Sequence, residues 1–178
     1  MISTPLSAPL IGATRLRGGN AGSARGAASL AVQAIGAARD CGCTGMIIVR
    51  MDSAFCNAAV TGAVRGQGAR FSVTVPMNAS IQAVIAAIGE DAWTPIRYPR
   101  AVWDDQLDCW ICDAEVAETQ YTAFASKKGQ AITARLIVRR VRDLNKKAPA
   151  GQDELFPLWR YQAVFTDSPF QLIISSLS

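Results

Sequence analysis

Strand-like and helix-like apolar patterns alternate through the first 76 residues of this 178-residue chain. Strand patterns occupy residues 2–17, 46–50 and 70–76, and helical patterns occupy residues 23–40 and 54–67. Apolar residues in the first helical stretch recur at the spacing of one helix face, whereas those in 70–76 alternate with polar neighbours. Strand, helix, strand, helix, strand is the order of α/β proteins, so the pattern predicts an α/β fold.

The character of the sequence changes after Pro76. One further helix is predicted over residues 78–93. Three later segments are rich in β-branched and aromatic residues and predict strands over residues 118–126, 130–143 and 158–167. We therefore divide the chain into an α/β unit over residues 1–76, a β-rich unit over residues 77–170 and a tail over residues 171–178.

The composition narrows the chemistry that the chain can perform. Histidine is absent, which excludes Ser-His-Asp and Cys-His mechanisms and any zinc site with a His ligand. The five cysteines are an odd number, and the first residues lack the basic and apolar regions of a signal peptide. No apolar run approaches the roughly 20 residues that span a bilayer. We expect a soluble, cytoplasmic protein with reduced thiols and no membrane partner.

Two cysteine pairs resemble halves of a zinc site. Cys109 and Cys112 have the two-residue spacing that lets both thiolates reach one ion, whereas Cys41 and Cys43 are too closely spaced. Ordinary buried thiols are the alternative.

Charge is segregated along the chain. Residues 1–75 hold seven arginines and two acids, residues 90–118 hold eight acids, and residues 119–150 hold eight lysines and arginines. This separation exceeds what a solvated surface requires. Together with a net charge of +4, it points to an anionic partner.

Two basic stretches are candidate contacts for DNA phosphates. Glycines follow Arg15 and Arg17 between a predicted strand and helix, where backbone N–H groups can hold an anion; a plain turn is the alternative. The second stretch surrounds the predicted strand over residues 136–143, and an edge strand protected by charge is its alternative. Its candidate residues are Lys127, Lys128, Arg139, Arg140, Lys146 and Lys147.

Asp52 follows the most apolar of the predicted strands, Met46 to Val49. A single Asp in this position serves as a helix cap or a turn residue in many proteins. Ligands of α/β sheets also gather at the carboxyl ends of strands, and Mg²⁺ prefers carboxylate oxygens. The residues alone leave a cap and a metal ligand as alternatives for Asp52.

Six words in the sequence, taken together and in order, resemble the DDE-type transposases of bacterial insertion sequences. They are RLRGGNAGSARGA, VRMDSAF, GARFSVTV, EDAWTPI, DAEVAE and ARLIVRRVR. The resemblance extends from about Ile2 to Phe170. It implies a partial RNase H-like catalytic core with a β-rich insertion domain, residues 1–76 and 77–170 respectively.

The resemblance also implies a chemistry. The word V-R-x-D-S-x-F carries the second of three metal-binding carboxylates in this family, and that role falls on Asp52. In an intact enzyme two Mg²⁺ (or Mn²⁺) ions would support metal-dependent cleavage and strand transfer of transposon-end DNA. A homodimer is a candidate assembly of the intact enzyme.

Two of the three expected carboxylates have no counterpart in the printed sequence. No acid precedes Asp40, and the residues after Phe170 hold none. We therefore expect a piece of a transposase, cut at both ends, that does not cleave DNA alone, because one carboxylate holds two hard cations poorly. A non-catalytic DNA-binding module that interferes with an intact transposase is the alternative. A third hypothesis is a metal-binding or interaction protein that uses Cys109 and Cys112.

Overall fold

The structure is a computed structural model that describes residues 1–4, 7–16, 18–19, 22, 24–96, 102–104, 109–111, 114–126, 129–142 and 159–169. For residues 7, 102, 104 and 109–111 it describes the backbone only. The described residues form a mixed α/β fold with three helices, a six-stranded mixed sheet and two small antiparallel strand pairs.

The first 74 residues contain the predicted alternation of strands and helices. Strands β1 (Ile2–Thr4) and β2 (Ser7–Leu10) pair with each other in antiparallel fashion. They are followed by α1 (Ala27–Asp40), β3 (Ile48–Met51), a short 3₁₀ turn (Ser53–Phe55), α2 (Ala58–Gly66) and β4 (Arg70–Thr74). Strands β3 and β4 are parallel, with Val49 opposite Phe71, and α2 connects them.

Local capping sets the boundaries of these helices. Helix α1 ends at Asp40, and Gly42 adopts a positive φ of 86° one residue after the C-cap, which is the usual position for a glycine at a helix end. The second helix was predicted over residues 54–67 but begins only at Ala58. Asn57 adopts an extended conformation there, and its side chain accepts the Val60 N–H at 3.0 Å. The residues before it form the separate 3₁₀ turn.

Strand β3 is less buried than its apolar sequence predicts. It stands at one end of the described sheet, whose order is β3, β4, then the later strands β10 (Trp159–Thr166), β9 (Ile132–Arg142), β8 (Ala114–Ala123) and β5 (Thr94–Ile96). Ile48, Val49 and Met51 are half-buried, whereas Phe71 and Val73 on β4 are fully buried. A continuous apolar run is typical of a buried strand, and β3 is only half-buried because it lies at the edge of the described sheet.

The described residues of the β-rich part of the chain form one helix and the remaining strands. Helix α3 (Ala79–Ala86) is capped by Asn78, whose side chain accepts the Ile81 N–H at 3.0 Å. A second 3₁₀ turn (Glu90–Ala92) leads into β5, which pairs with β8 in antiparallel fashion. Strands β6 (Val102–Asp104) and β7 (Cys109–Ile111) form a small antiparallel pair.

The chain divides into two compact units. The first contains Met1–Thr74, Thr122–Ala134 and a last segment that begins at Phe165; the second contains Val75–Tyr121 and Arg135–Val164. The break between Thr74 and Val75 lies close to the predicted boundary at residue 76. The grouping of two later segments with the first unit is not part of the contiguous division predicted from sequence. The predicted tail, residues 171–178, lies outside the described residues.

Each unit has its own apolar core. In the first, Val60 and Val64 of α2, Phe71 and Phe165 are at most 2% exposed, and the two phenylalanine rings lie 5.2 Å apart between centroids. In the second, the buried residues include Ile81, Ile85, Val116, Leu136 and Val138. Burial of such side chains contributes about 1.5–3 kcal/mol each.

Candidate functional site

Asp52 lies at the carboxyl end of β3 with its side chain exposed. Its backbone is extended, and its carboxylate Oδ1 accepts the Ala54 N–H at 2.8 Å, so the residue caps the following 3₁₀ turn. The cap that the sequence offered as one alternative is therefore present. A cap and an exposed carboxylate are compatible, because the bond to Ala54 uses one of the two carboxylate oxygens.

The acids of the first unit do not gather around Asp52. Asp40 ends α1. Asp167 accepts the N–H of Phe71, which pairs with Val49, three residues before Asp52. At about 3.3 Å per residue, this places Asp167 roughly 10 Å from Asp52 along the strands. Within the described residues no group of three His, Cys, Asp or Glu side chains can hold a metal ion. This donor set suits one ligand of a shared Mg²⁺ or Mn²⁺ site and does not suit a two-metal centre.

Arg15 is engaged at the start of α1. Its guanidinium donates to the carbonyl oxygen of Gly26 at 3.1 Å and to Ser29 Oγ at 2.7 Å. Gly26 has a φ of 75°, and a Cβ at this position would lie 2.7 Å from Arg15 Nη1. The arginine therefore occupies the space beside the first turn of α1, where the sequence predicted a phosphate contact. Its exposed position still leaves other N–H groups of the fork at the surface.

Arg140 is placed differently from a surface phosphate contact. It is 5% exposed, and its guanidinium lies between the rings of Trp93 and Trp159, 4.2 and 4.4 Å from their centroids. Glu90 accepts two bonds from the fork, at 2.9 and 2.7 Å, and Glu115 accepts a third from Nε. Because every side of the guanidinium is occupied within the chain, we leave Arg140 out of the proposed DNA contacts below.

Glu90 and Arg140 shift each other's pKa values. Its hydrogen bond with Arg140 holds the pKa of Glu90 below its usual value, and the same bond raises the pKa of Arg140. Arg135 and Glu118 form a second pair at 2.9 Å. Part of the acid-rich stretch therefore pairs with part of the basic stretch that follows it. The segregation of charge that suggested an anionic partner is explained in part by contacts between the neighbouring strands β8 and β9.

The other predicted site residues are only partly described. Arg139 is half-buried on β9. The remaining basic candidates lie outside the described residues: Arg17, Lys127, Lys128, Lys146 and Lys147. Cys112 and the side chain of Cys109 also lie outside them, so the zinc hypothesis stays a prediction. Cys41, Cys43 and Cys56 are free thiols, and burial raises the pKa of Cys56, which keeps that thiol protonated near neutral pH.

One cluster of charges was not predicted from sequence. Asp167 is held by the buried amide of Phe71, with 2.8 Å between Phe71 N and Oδ1. Its Oδ2 lies 3.4 Å from Arg65 Nε and 3.8 Å from Arg70 Nη1. The sequence signal is the pair of arginines that flanks the glycine turn at residues 66–68, but the carboxylate lies almost a hundred residues further along the chain.

Comparison with known proteins adds no relationship. The chain matches no protein-family model, and no curated protein matches it. Among the described helices, none is long and apolar enough to cross a membrane.

Proposed function

We propose that this chain is part of a DDE-type transposase with an RNase H-like core, and that on its own it binds DNA without cutting it. The observation that carries the proposal is the exposed carboxylate of Asp52 at the carboxyl end of β3. It belongs to a unit in which α2 connects two parallel strands. Ligands of open α/β sheets bind at this end of the strands. The transposase words quoted above assign the same residue to metal.

The charge of the first unit supports DNA as the partner. The described arginines of residues 1–74 are exposed: Arg15, Arg25, Arg39, Arg50, Arg65 and Arg70. The same residues contain two acids, Asp40 and Asp52. Arginine forks suit phosphate geometry, and phosphate contacts supply most of the affinity in non-specific DNA binding.

The proposal assigns no cleavage to the chain alone. Mg²⁺ in nucleic-acid enzymes is held by one or two carboxylates together with substrate phosphates. Asp52 is proposed as one such ligand for Mg²⁺ or Mn²⁺, beside a DNA phosphate. The two-metal mechanism expected of the intact enzyme uses ions held by several carboxylates, and the described residues place a single carboxylate here.

The experiment compares Asp52→Asn with the wild type and with Asp40→Asn. Asn caps helices about as well as Asp, so the first variant keeps the cap and removes the charge. Affinity for a labelled DNA duplex is measured by fluorescence anisotropy with and without Mn²⁺ at one ionic strength. We expect Mn²⁺ to raise the affinity of the wild type and of Asp40→Asn, and to leave Asp52→Asn unchanged. The DNA should stay intact in Mg²⁺ or Mn²⁺; cutting that Asp52→Asn abolishes would refute the non-cleaving part of the proposal.

A DNA-binding module without any metal function is the second candidate. The observation that favours it is the bond between Asp52 and Ala54, which already gives the carboxylate a structural role. This candidate predicts that Mn²⁺ changes the DNA affinity of all three proteins by the same amount, or changes none of them. Absence of DNA binding would contradict both candidates.

A further inference from the structure

We propose that Arg65 and Arg70 form a phosphate-binding pair at the amino end of β4, positioned by the carboxylate of Asp167. The site is distinct from Asp52, which lies beyond the carboxyl end of the adjacent strand β3. A nucleic-acid backbone and a free phosphate ion share the required chemistry. Only the first of these sources rests on the proposed function.

The turn after α2 brings the two arginines together. Arg65 is in the last turn of the helix, and Arg70 is the first residue of β4. Between them Gly68 takes a φ of 66°, and its N–H donates to the Arg65 carbonyl at 2.9 Å. The N–H of Ala69 donates to the Val64 carbonyl at 3.3 Å, which closes the helix end. This sharp reversal lets side chains five positions apart approach one carboxylate.

Asp167 lies close to both arginines without forming hydrogen bonds that use their N–H donors. Its side chain is 11% exposed, and the Phe71 N–H fixes its orientation through Oδ1. The distances from Oδ2 to the two guanidiniums, 3.4 and 3.8 Å, are longer than an N–H···O hydrogen bond. Oδ2 has no hydrogen-bond partner among the described residues. The carboxylate therefore offsets the repulsion between two cations by charge and leaves their donors available.

The two arginines border a depression that is open to solvent. Each guanidinium carries five N–H groups, and the side chains of Arg65 and Arg70 are 48% and 47% exposed. Neither guanidinium forms a hydrogen bond with the described part of the chain, and the ion pairs with Asp167 are their only charged contacts there. The depression has a volume of about 460 Å³ and is lined by the two arginines, Asp167, Gly66, Gly68 and Ala69. Two guanidiniums and one carboxylate leave a local charge of +1.

Phosphate is the anion that this arrangement suits best. Guanidinium forks bind phosphate through paired N–H···O bonds, and one phosphate has enough acceptor oxygens to engage two forks at once. The two glycines in the lining add no side chain that would fill the depression. Asp167 lines the same depression, so its carboxylate partly opposes an incoming anion, and the two guanidiniums supply the net positive charge that binds the phosphate.

The test uses Arg65→Gln/Arg70→Gln and a control that removes positive charge elsewhere. Arg142→Gln and Arg160→Gln, combined, remove the same two charges from exposed positions on other strands. Inorganic phosphate is titrated at constant ionic strength, with chloride and acetate as comparison anions, while arginine Nε–H and backbone amide NMR signals are followed. We expect saturable shifts at Arg65, Arg70 and the 66–69 turn with phosphate in the wild type and the control. They should be absent in Arg65→Gln/Arg70→Gln.

A second measurement distinguishes the source of the phosphate. Loss of two backbone contacts should reduce the slope of log affinity against log salt for a DNA duplex by about 2, beyond any change in the control. Phosphate shifts without this change in slope assign the site to a free phosphate ion. DNA binding that both double variants lose equally, with no saturable phosphate shift, would overturn this inference and leave the proposed function standing. Saturable phosphate shifts in a chain that binds no DNA would support this inference and contradict the proposed function.

Discussion

Replacing Arg140 tests whether the cluster around its guanidinium stabilises the second unit. Arg140→Met keeps an unbranched side chain between Trp93 and Trp159 and removes the charge and the fork of donors. Two ring contacts at 4.2 and 4.4 Å contribute about 1 kcal/mol each. The bond to the partly buried Glu115 contributes about 1.5 kcal/mol more. We expect the free energy of unfolding to fall by about 3.5 kcal/mol, a decrease in Tm of about 7–14 °C.

The assay is urea unfolding at neutral pH, followed by tryptophan fluorescence, because two tryptophans flank the substituted side chain. Arg142→Met is the matched control, since Arg142 is exposed two residues further along β9 and its replacement should cost less than about 0.5 kcal/mol. Arg140→Lys should lie between the wild type and Arg140→Met, because lysine keeps the charge and lacks the planar fork. The reasoning is refuted if Arg140→Met and Arg142→Met differ by less than about 1 kcal/mol, which is the central value for a point substitution.

Three further outcomes follow from the contacts of Glu90, Asp52 and Asp167. Because the pKa of Glu90 is lowered in the folded state, its ion pair with Arg140 stabilises the fold fully above the ordinary pKa of 4.5, and this stabilisation is lost as the pH falls through the lower folded value. Acidification below about pH 4.5 should therefore destabilise the wild type more than Glu90→Gln, as measured by urea unfolding at a series of pH values. Asp52→Ala should cost about 1 kcal/mol through loss of the cap, and Asp52→Asn only a small part of that, as judged from paired denaturation curves. Asp167→Ala should cost about 2 kcal/mol because it leaves the fully buried amide of Phe71 without a partner, and thermal unfolding with Asp40→Ala as the control measures the difference.

Local sequence patterns predict where the helices and strands of this fold lie better than they predict which other elements surround them. The apolar alternation of residues 70–76 and the glycine at position 42 identify β4 and the end of α1. Helix α2 begins later than the predicted residue 54 because the side chain of Asn57 caps its first turn. This cap outweighs the helical propensity of the small residues before it. Burial of β3 depends on which strands lie beside it, and a stretch of apolar residues carries no information about neighbours.

The sites depend on contacts between residues far apart in the chain. Three of the four arginines on β9 are close neighbours in sequence, yet Arg140 is buried, Arg139 half-buried and Arg142 exposed. Their partly alternating pattern does not identify which one meets Glu90, fifty positions earlier. Asp167 reads as an ordinary acid after a strand, and its role appears only where it meets the turn after α2. The position of Asp52 at the end of a strand was predictable, because it follows directly from the strand that precedes it.

The salt dependence of DNA binding by the unmodified chain tests the central claim most directly. If exposed arginines of the first unit contact backbone phosphates, log affinity for a DNA duplex should fall against log salt with a slope of about −3 or steeper, which corresponds to three or more contacts. A slope shallower than about −1, or no measurable binding at low salt, would contradict the account.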